Sequence, residues 1–142
     1  MTKPRAAKPK RNEAALVRAI LARLALDRDV ECLRINAGGI ATQGRYVKLA
    51  PAGVSDLLLC VRCRVPQSEL SGDGTHIVHT HCTVGRYCAL EAKVGKNKPT
   101  AKQLAWLERV RDLGGYAATV WSVEDALAEV EQCKDVSGAA TP

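Results

Sequence analysis

The sequence predicts a mixed α/β fold, a central sheet flanked by helices with an extended β-hairpin inserted between two of its strands. Three observations carry this. Apolar residues recur at helical spacing in three separate segments, and short apolar runs of strand length lie between those segments. Two of these runs are joined by about twenty-five residues, far more than the two to five of a usual hairpin turn.

Residues 1–12 carry two prolines and a basic cluster and read as a disordered arm. Helical periodicity runs from Glu13 to about Arg28, with Asn12 as its N-cap and Leu16, Val17, Ile20, Leu21 and Leu24 as its apolar stripe. Val30 to Asn36 reads as a strand, followed by a turn at Gly38-Gly39 and an extended piece from Arg45 to Leu49. Pro51-Ala52-Gly53 breaks the chain, and Ser55 to Val61 then contains Leu57-Leu58-Leu59, apolar on both faces like a covered central strand. The insertion, residues 62–86, has turn signals at Pro66 and Ser71-Gly72-Asp73-Gly74. Tyr87 to Val94 is the next strand. A second helix starts at Thr100 and stops at Gly114-Gly115. Tyr116 to Trp121 is a strand, and Ser122 caps a third helix with an apolar face of Val123, Ala126, Leu127 and Val130. The domain is expected to span 13–133, with 134–142 a flexible tail.

The formal charge is +6, and Lys3, Arg5, Lys8, Lys10 and Arg11 all precede the first acidic residue, Glu13. A basic arm in front of a nearly neutral domain suits phosphate contacts that give affinity without sequence choice. The alternative is a solubilising tail. No apolar run reaches the roughly 18 residues of a membrane span, and no secretory signal is recognised, so a cytoplasmic location is expected. The six cysteines are then expected as free thiols or metal ligands.

Asp56 opens a buried strand, where a carboxylate is costly unless something positive meets it. Glu91 and Lys93 lie two apart in Ala89-Leu90-Glu91-Ala92-Lys93-Val94, so their side chains share one strand face. If the two strands pair, Asp56 and Glu91 converge on one divalent cation, and oxygen donors suit Mg²⁺ or Mn²⁺. The competing reading is a salt-bridged sheet face. Glu13 leans towards the core on the Glu13-Val17-Ile20-Leu24 face, or is simply a first-turn acid favoured by the helix dipole. Gln103 faces inward with Leu107, but Thr100-Ala101-Lys102-Gln103 is also a capping box.

These residues together resemble a family. Gly53-Val54-Ser55-Asp56-Leu57-Leu58, Leu90-Glu91-Ala92-Lys93, Lys96-Asn97-Lys98-Pro99-Thr100-Ala101-Lys102-Gln103 and Leu113-Gly114-Gly115-Tyr116 are similar, in that order, to the VRR-NUC branch of the PD-(D/E)xK nucleases. Arg34-Ile35-Asn36 and Gly44-Arg45-Tyr46-Val47 resemble phage-type members. The likeness covers about residues 13 to 130 apart from the insertion. It implies a restriction-endonuclease-like core and a metal-dependent endonuclease, selective for branched, flap or junction DNA and commonly a homodimer. On the matching positions, Asp56, Glu91 and the main-chain carbonyl of Ala92 would be metal ligands. Lys93 would hold the attacking water, Gln103 would orient water or ligands, and Glu13 would serve a second metal. Lys96 and Lys98, with the N-terminal cations, would contact DNA.

The insertion departs from that pattern. Cys60, Cys63, His76, His79, His81 and Cys82, with Cys88 beyond, concentrate soft ligands, and Cys60-x₂-Cys63-x₁₂-His76-x₄-His81 meets the spacing of a zinc finger. Gln67 and Asp73, however, stand where a finger has core residues, and His76 to His81 alternates like an exposed strand. A plain extended hairpin reaching over DNA or a second subunit competes with structural Zn²⁺. Two other functions compete with a DNA endonuclease: a non-catalytic DNA-binding or assembly protein on the same fold, and a metal-dependent RNase.

Overall fold

The computed structural model describes residues 12–35, 39–42, 45–48 and 50–136, with the backbone alone for 39–42 and 45–48. The elements are α1 (Glu13–Leu24), β1 (Val30–Arg34), β2 (Gly39–Thr42), β3 (Arg45–Lys48), β4 (Leu57–Leu70), β5 (Ile77–Ala92), α2 (Ala101–Asp112), β6 (Tyr116–Val120) and α3 (Val123–Lys134). The basic cluster Lys3, Arg5, Lys8, Lys10 and Arg11, and residues 137–142 of the expected tail, lie outside the described residues.

Four strands form the main sheet in the order β1-β4-β5-β6, and β2 and β3 form a separate antiparallel pair. β4 is antiparallel to both of its neighbours, β1 and β5, while β6 returns parallel to β5 after the α2 crossover. The fold is thus mixed α/β. Alternation along the strands divides the core between two faces. Leu57, Leu59, Val61 and Cys63 of β4 and Cys88, Leu90 and Ala92 of β5 meet Val17, Ile20 and Leu24 of α1 and Ala126, Val130 and Cys133 of α3. On the other face Leu58 and Ala89 meet Trp106, Leu107 and Val110 of α2. This second cluster is the smaller, so α2 covers that face only in part.

Several boundaries differ from those the sequence predicts. The first helix ends at Leu24 rather than Arg28, because its buried positions are complete there and Asp27 turns the chain by accepting from the Asp29 N–H at 2.9 Å. Gly39 of the predicted Gly38-Gly39 turn opens β2, a strand the sequence did not signal, while Gly38 lies outside the described residues. Residues 62–86 form an extended β-hairpin. They are β4 and β5 continuing past the body of the sheet, in unbroken register from Leu57↔Leu90 to Leu70↔Ile77. Pro66 lies inside β4 rather than at a turn. The pairing of β1 with β4 ends at Val61, so beyond it β4 has a free edge where a missing N–H costs no ladder bond. The turn lies at 71–76, where the Ser71 hydroxyl accepts from the N–H groups of Thr75 and His76 and the Asp73 carboxylate accepts from Thr75. The C-terminal side is firmer than expected: Lys134, assigned to the tail, ends α3 and bonds Asp27 and Glu131 at 2.8 Å each. Among the described residues no helix is long and apolar enough to cross a membrane.

Candidate metal centre

The β4–β5 register sets the site. One step beyond Leu57↔Leu90 lies Asp56 opposite Glu91, and cross-strand neighbours in an antiparallel pair share a face. That face is the one on which Leu58 and Ala89 meet α2, so the N-terminal turn of α2 overhangs Glu91. The start of α1 closes the other side with Glu13. Oxygen atoms of Glu13, Asp56 and Glu91 lie within 4.8 Å of one another. Glu91 is fully buried and Lys93 is 6% exposed.

Each carboxylate is anchored through one oxygen. Asp56 Oδ2 accepts from the Ala92 N–H at 3.0 Å. Glu91 Oε1 accepts from the Lys93 ammonium at 2.6 Å and from the Gln103 side-chain amide. Glu13 Oε1 accepts from the same ammonium at 3.3 Å. Glu91 Oε2 is buried with no hydrogen-bond partner among the described residues. A buried, unpaired carboxylate oxygen is costly, roughly 1–3 kcal/mol or more. Together with the two neighbouring carboxylates it offers oxygen donors of the kind hard cations take.

The electrostatics agree. Burial, then the charges of Asp56 and Glu13, push the Glu91 carboxyl up to about 7, against the pull of Lys93. Burial also raises Asp56, opposed by the Ala92 N–H and by the positive charges of Lys93 and Arg34. For Lys93, burial favours the neutral amine, but its hydrogen bond to Glu91 and the surrounding carboxylates outweigh that and raise its pKa. One ammonium therefore faces three acids. At an effective dielectric of about 20, two charges 4.8 Å apart repel by roughly 3 kcal/mol, so a divalent cation would relieve more than Lys93 can.

The five residues predicted for catalysis, Asp56, Glu91, Lys93, Gln103 and Glu13, are thus brought together. Gln103 satisfies both of its readings at once. Its Oε1 accepts from the Thr100 N–H at 2.8 Å, closing the capping box, while its amide N–H reaches Glu91. At Ala92 the group engaged is the N–H, which positions Asp56. Lys96 and Lys98 are exposed on the segment between β5 and α2. Arg34, to which the sequence reading gave no role, lies at the end of β1 and acts electrostatically on Asp56. The signal available was its place at the strand end that pairs with Leu57.

The zinc ligand set is not gathered. Among the described residues the only cluster of three or more potential ligands is the carboxylate one. Cys60 and Cys63 are three apart in a strand and so point to opposite faces, Cys60 exposed and Cys63 buried. The Cys63 thiol donates to the Cys133 carbonyl at 3.3 Å, and Cys88 is fully buried in the same core. His79 and His81 are exposed on the arm, with Cys82 on its opposite face, and His76 belongs to the turn. The cysteines are all free thiols. No protein-family model, curated protein or solved structure matches the chain.

Proposed function

We propose that this chain is a divalent-cation-dependent endonuclease with a PD-(D/E)xK-type core, hydrolysing phosphodiester bonds of DNA, branched or otherwise structured. The observation that carries this reading is the convergence of Glu13, Asp56 and Glu91 within 4.8 Å beside a buried lysine, with one Glu91 oxygen left unpaired. A purely structural ion pair needs one acid per base. Three acids on one base suit a site built for further positive charge.

Asp56, Glu91 and Glu13 would hold Mg²⁺ or Mn²⁺. When bound, such a cation lowers the pKa of water and offsets charge building on phosphate. The chain's own groups do the rest. The Ala92 N–H fixes the Asp56 carboxylate, and Gln103 fixes that of Glu91. The Lys93 ammonium, within hydrogen-bond reach of both Glu91 and Glu13, holds the attacking water in line and stabilises the developing oxyanion. Arg34, Lys96 and Lys98 supply exposed positive charge for the flanking phosphates.

The test is a nicking assay with Mg²⁺, Mn²⁺ or EDTA on linear, flap and junction DNA, and on RNA of the same sequence. Cation-dependent cleavage of DNA, lost in Lys93→Ala and Glu91→Ala, is expected. Binding of every substrate by the wild type with no cleavage would instead make the chain a DNA-binding or assembly module, and preference for RNA would make it an RNase.

A further inference from the structure

A cleft is lined by Asn12 and Leu16 at the start of α1, Val94 and Gly95 after β5, and Trp121 after β6. Two of its lining residues are chain neighbours of site residues: Glu13 follows Asn12, and Lys93 precedes Val94. Trp121 is 45% exposed, so much of its indole is open to solvent. It is also fixed. Its ring N–H donates to the Asn97 carbonyl at 3.1 Å, and its backbone N–H donates to Asp125 Oδ2 at 3.0 Å. Gly95, in the same lining, has φ +62° and no described atom within 4 Å of where a Cβ would stand, so the cleft is open there. The segment carrying Asn97 also carries the exposed Lys96 and Lys98.

We infer that this cleft is a base-stacking subsite, in which Trp121 takes the face of an unpaired nucleobase next to the phosphate seated at the carboxylate cluster. The inference rests on the nuclease reading for the identity of its ligand. The chemistry is that of a nucleotide in three parts: a rigid aromatic face for the base, apolar Leu16 and Val94 with open backbone at Gly95 for the sugar, and two lysines for the phosphates. Stacking is sequence-tolerant, because every base has a π-face. It also discriminates by pairing state, since a base within a duplex already has both faces covered. A preformed platform loses little entropy on binding, and the hydrogen bond to Asn97 supplies that rigidity.

The test uses fluorescence. Trp106→Phe leaves Trp121 as the sole indole, and this change is mild because the buried Trp106 ring N–H has no hydrogen-bond partner among the described residues. In Ca²⁺ as the only divalent cation, a short single-stranded oligodeoxynucleotide should quench Trp121, and the same sequence as a blunt duplex should not. Trp121→Ala should weaken binding of the single strand by about five- to a hundredfold and leave duplex binding unchanged. Trp121→Phe keeps an aromatic face but loses the bond to Asn97. It should restore most of the affinity, which a merely structural role for the indole would not allow. Equal quenching by both DNA forms, or Trp121→Ala binding the single strand like wild type, overturns the inference. Failure of the nuclease reading is separate: it would appear as strands that bind and quench but remain uncut in Mg²⁺.

Discussion

If the carboxylate cluster is poised for a cation, the metal-free protein should lose stability as pH rises through neutrality. Glu91 titrates at the usual 4.5 in the unfolded chain and at about 7 in the fold, so between these values the native state binds more protons than the unfolded one. The slope of unfolding free energy against pH is then negative. The stability associated with protonated Glu91 is fully present below 4.5 and lost as pH rises through 7. A shift of that size at about 1.4 kcal/mol per unit amounts to roughly 3 kcal/mol, and Asp56, also raised, acts in the same direction. For a chain of 142 residues this is on the order of 6–12 °C in Tm. Thermal unfolding in EDTA should therefore give a Tm lower at about pH 8 than at about pH 5.5, a window that holds roughly 2 kcal/mol of that total and so about 4–8 °C. In Glu91→Gln, which keeps the shape and removes the titration, most of that difference should vanish. Mg²⁺ at about a hundred times its Kd should return some 2.7 kcal/mol at the higher pH. At the lower pH, where it must displace a proton, it should return only about 1 kcal/mol. The reasoning is refuted if wild type and Glu91→Gln show the same pH dependence, or if Mg²⁺ raises Tm equally at both pH values.

Two further outcomes follow from the supports of the site. Gly53 has φ +95°, and a Cβ there would stand 2.8 Å from the Lys102 carbonyl oxygen; Gly53→Ala should lower the urea midpoint by an amount equivalent to about 1–3 kcal/mol and slow any cleavage by shifting α2 away from Glu91. Thr100→Ala opens the capping box and should cost about 1 kcal/mol in the same measurement, with Thr100→Ser close to wild type, since only the alanine lacks the hydroxyl that accepts from the Gln103 N–H.

The parts of the fold legible in the sequence were those with contrast between a wet and a dry side. The stripe of α1, the caps at Asn12, Thr100 and Ser122, and the apolar centres of β4, β5 and β6 all fall where periodicity placed them. Glu91 and Lys93 could be put on one face from spacing alone, and they are. That Asp56 would stand opposite Glu91 depends on cross-strand register, which no local pattern specifies. The outer halves of β4 and β5 were legible as an extended hairpin, from the length of the connection and the alternation at His76 to His81. Their register and the run of β4 through Pro66 were not, because both faces meet water there, with Gln67, Ser68, His79 and Thr80 all exposed. The soft-ligand spacing of Cys60 and Cys63 misled for a related reason. It assumed a turn, and the backbone there is extended, which sends the two thiols to opposite sides. Arg34 and Trp121 gave little warning, since one exposed cation and one exposed indole are ordinary until a neighbouring site lends them meaning.

The continuous pairing of β4 with β5 also bears on how the chain assembles. Thirty-five residues separate Asp56 from Glu91, and closing a free loop of that length costs about 1.6 kcal/mol more entropy than closing one of six. The tight bend at Ser71 to His76 removes the need for that direct search. If it forms first, zippering from Leu70↔Ile77 inward to Leu57↔Leu90 would bring the two acids together at its end. An arm that looks dispensable in the finished molecule is then the guide rail along which its most repulsive contact is brought into place.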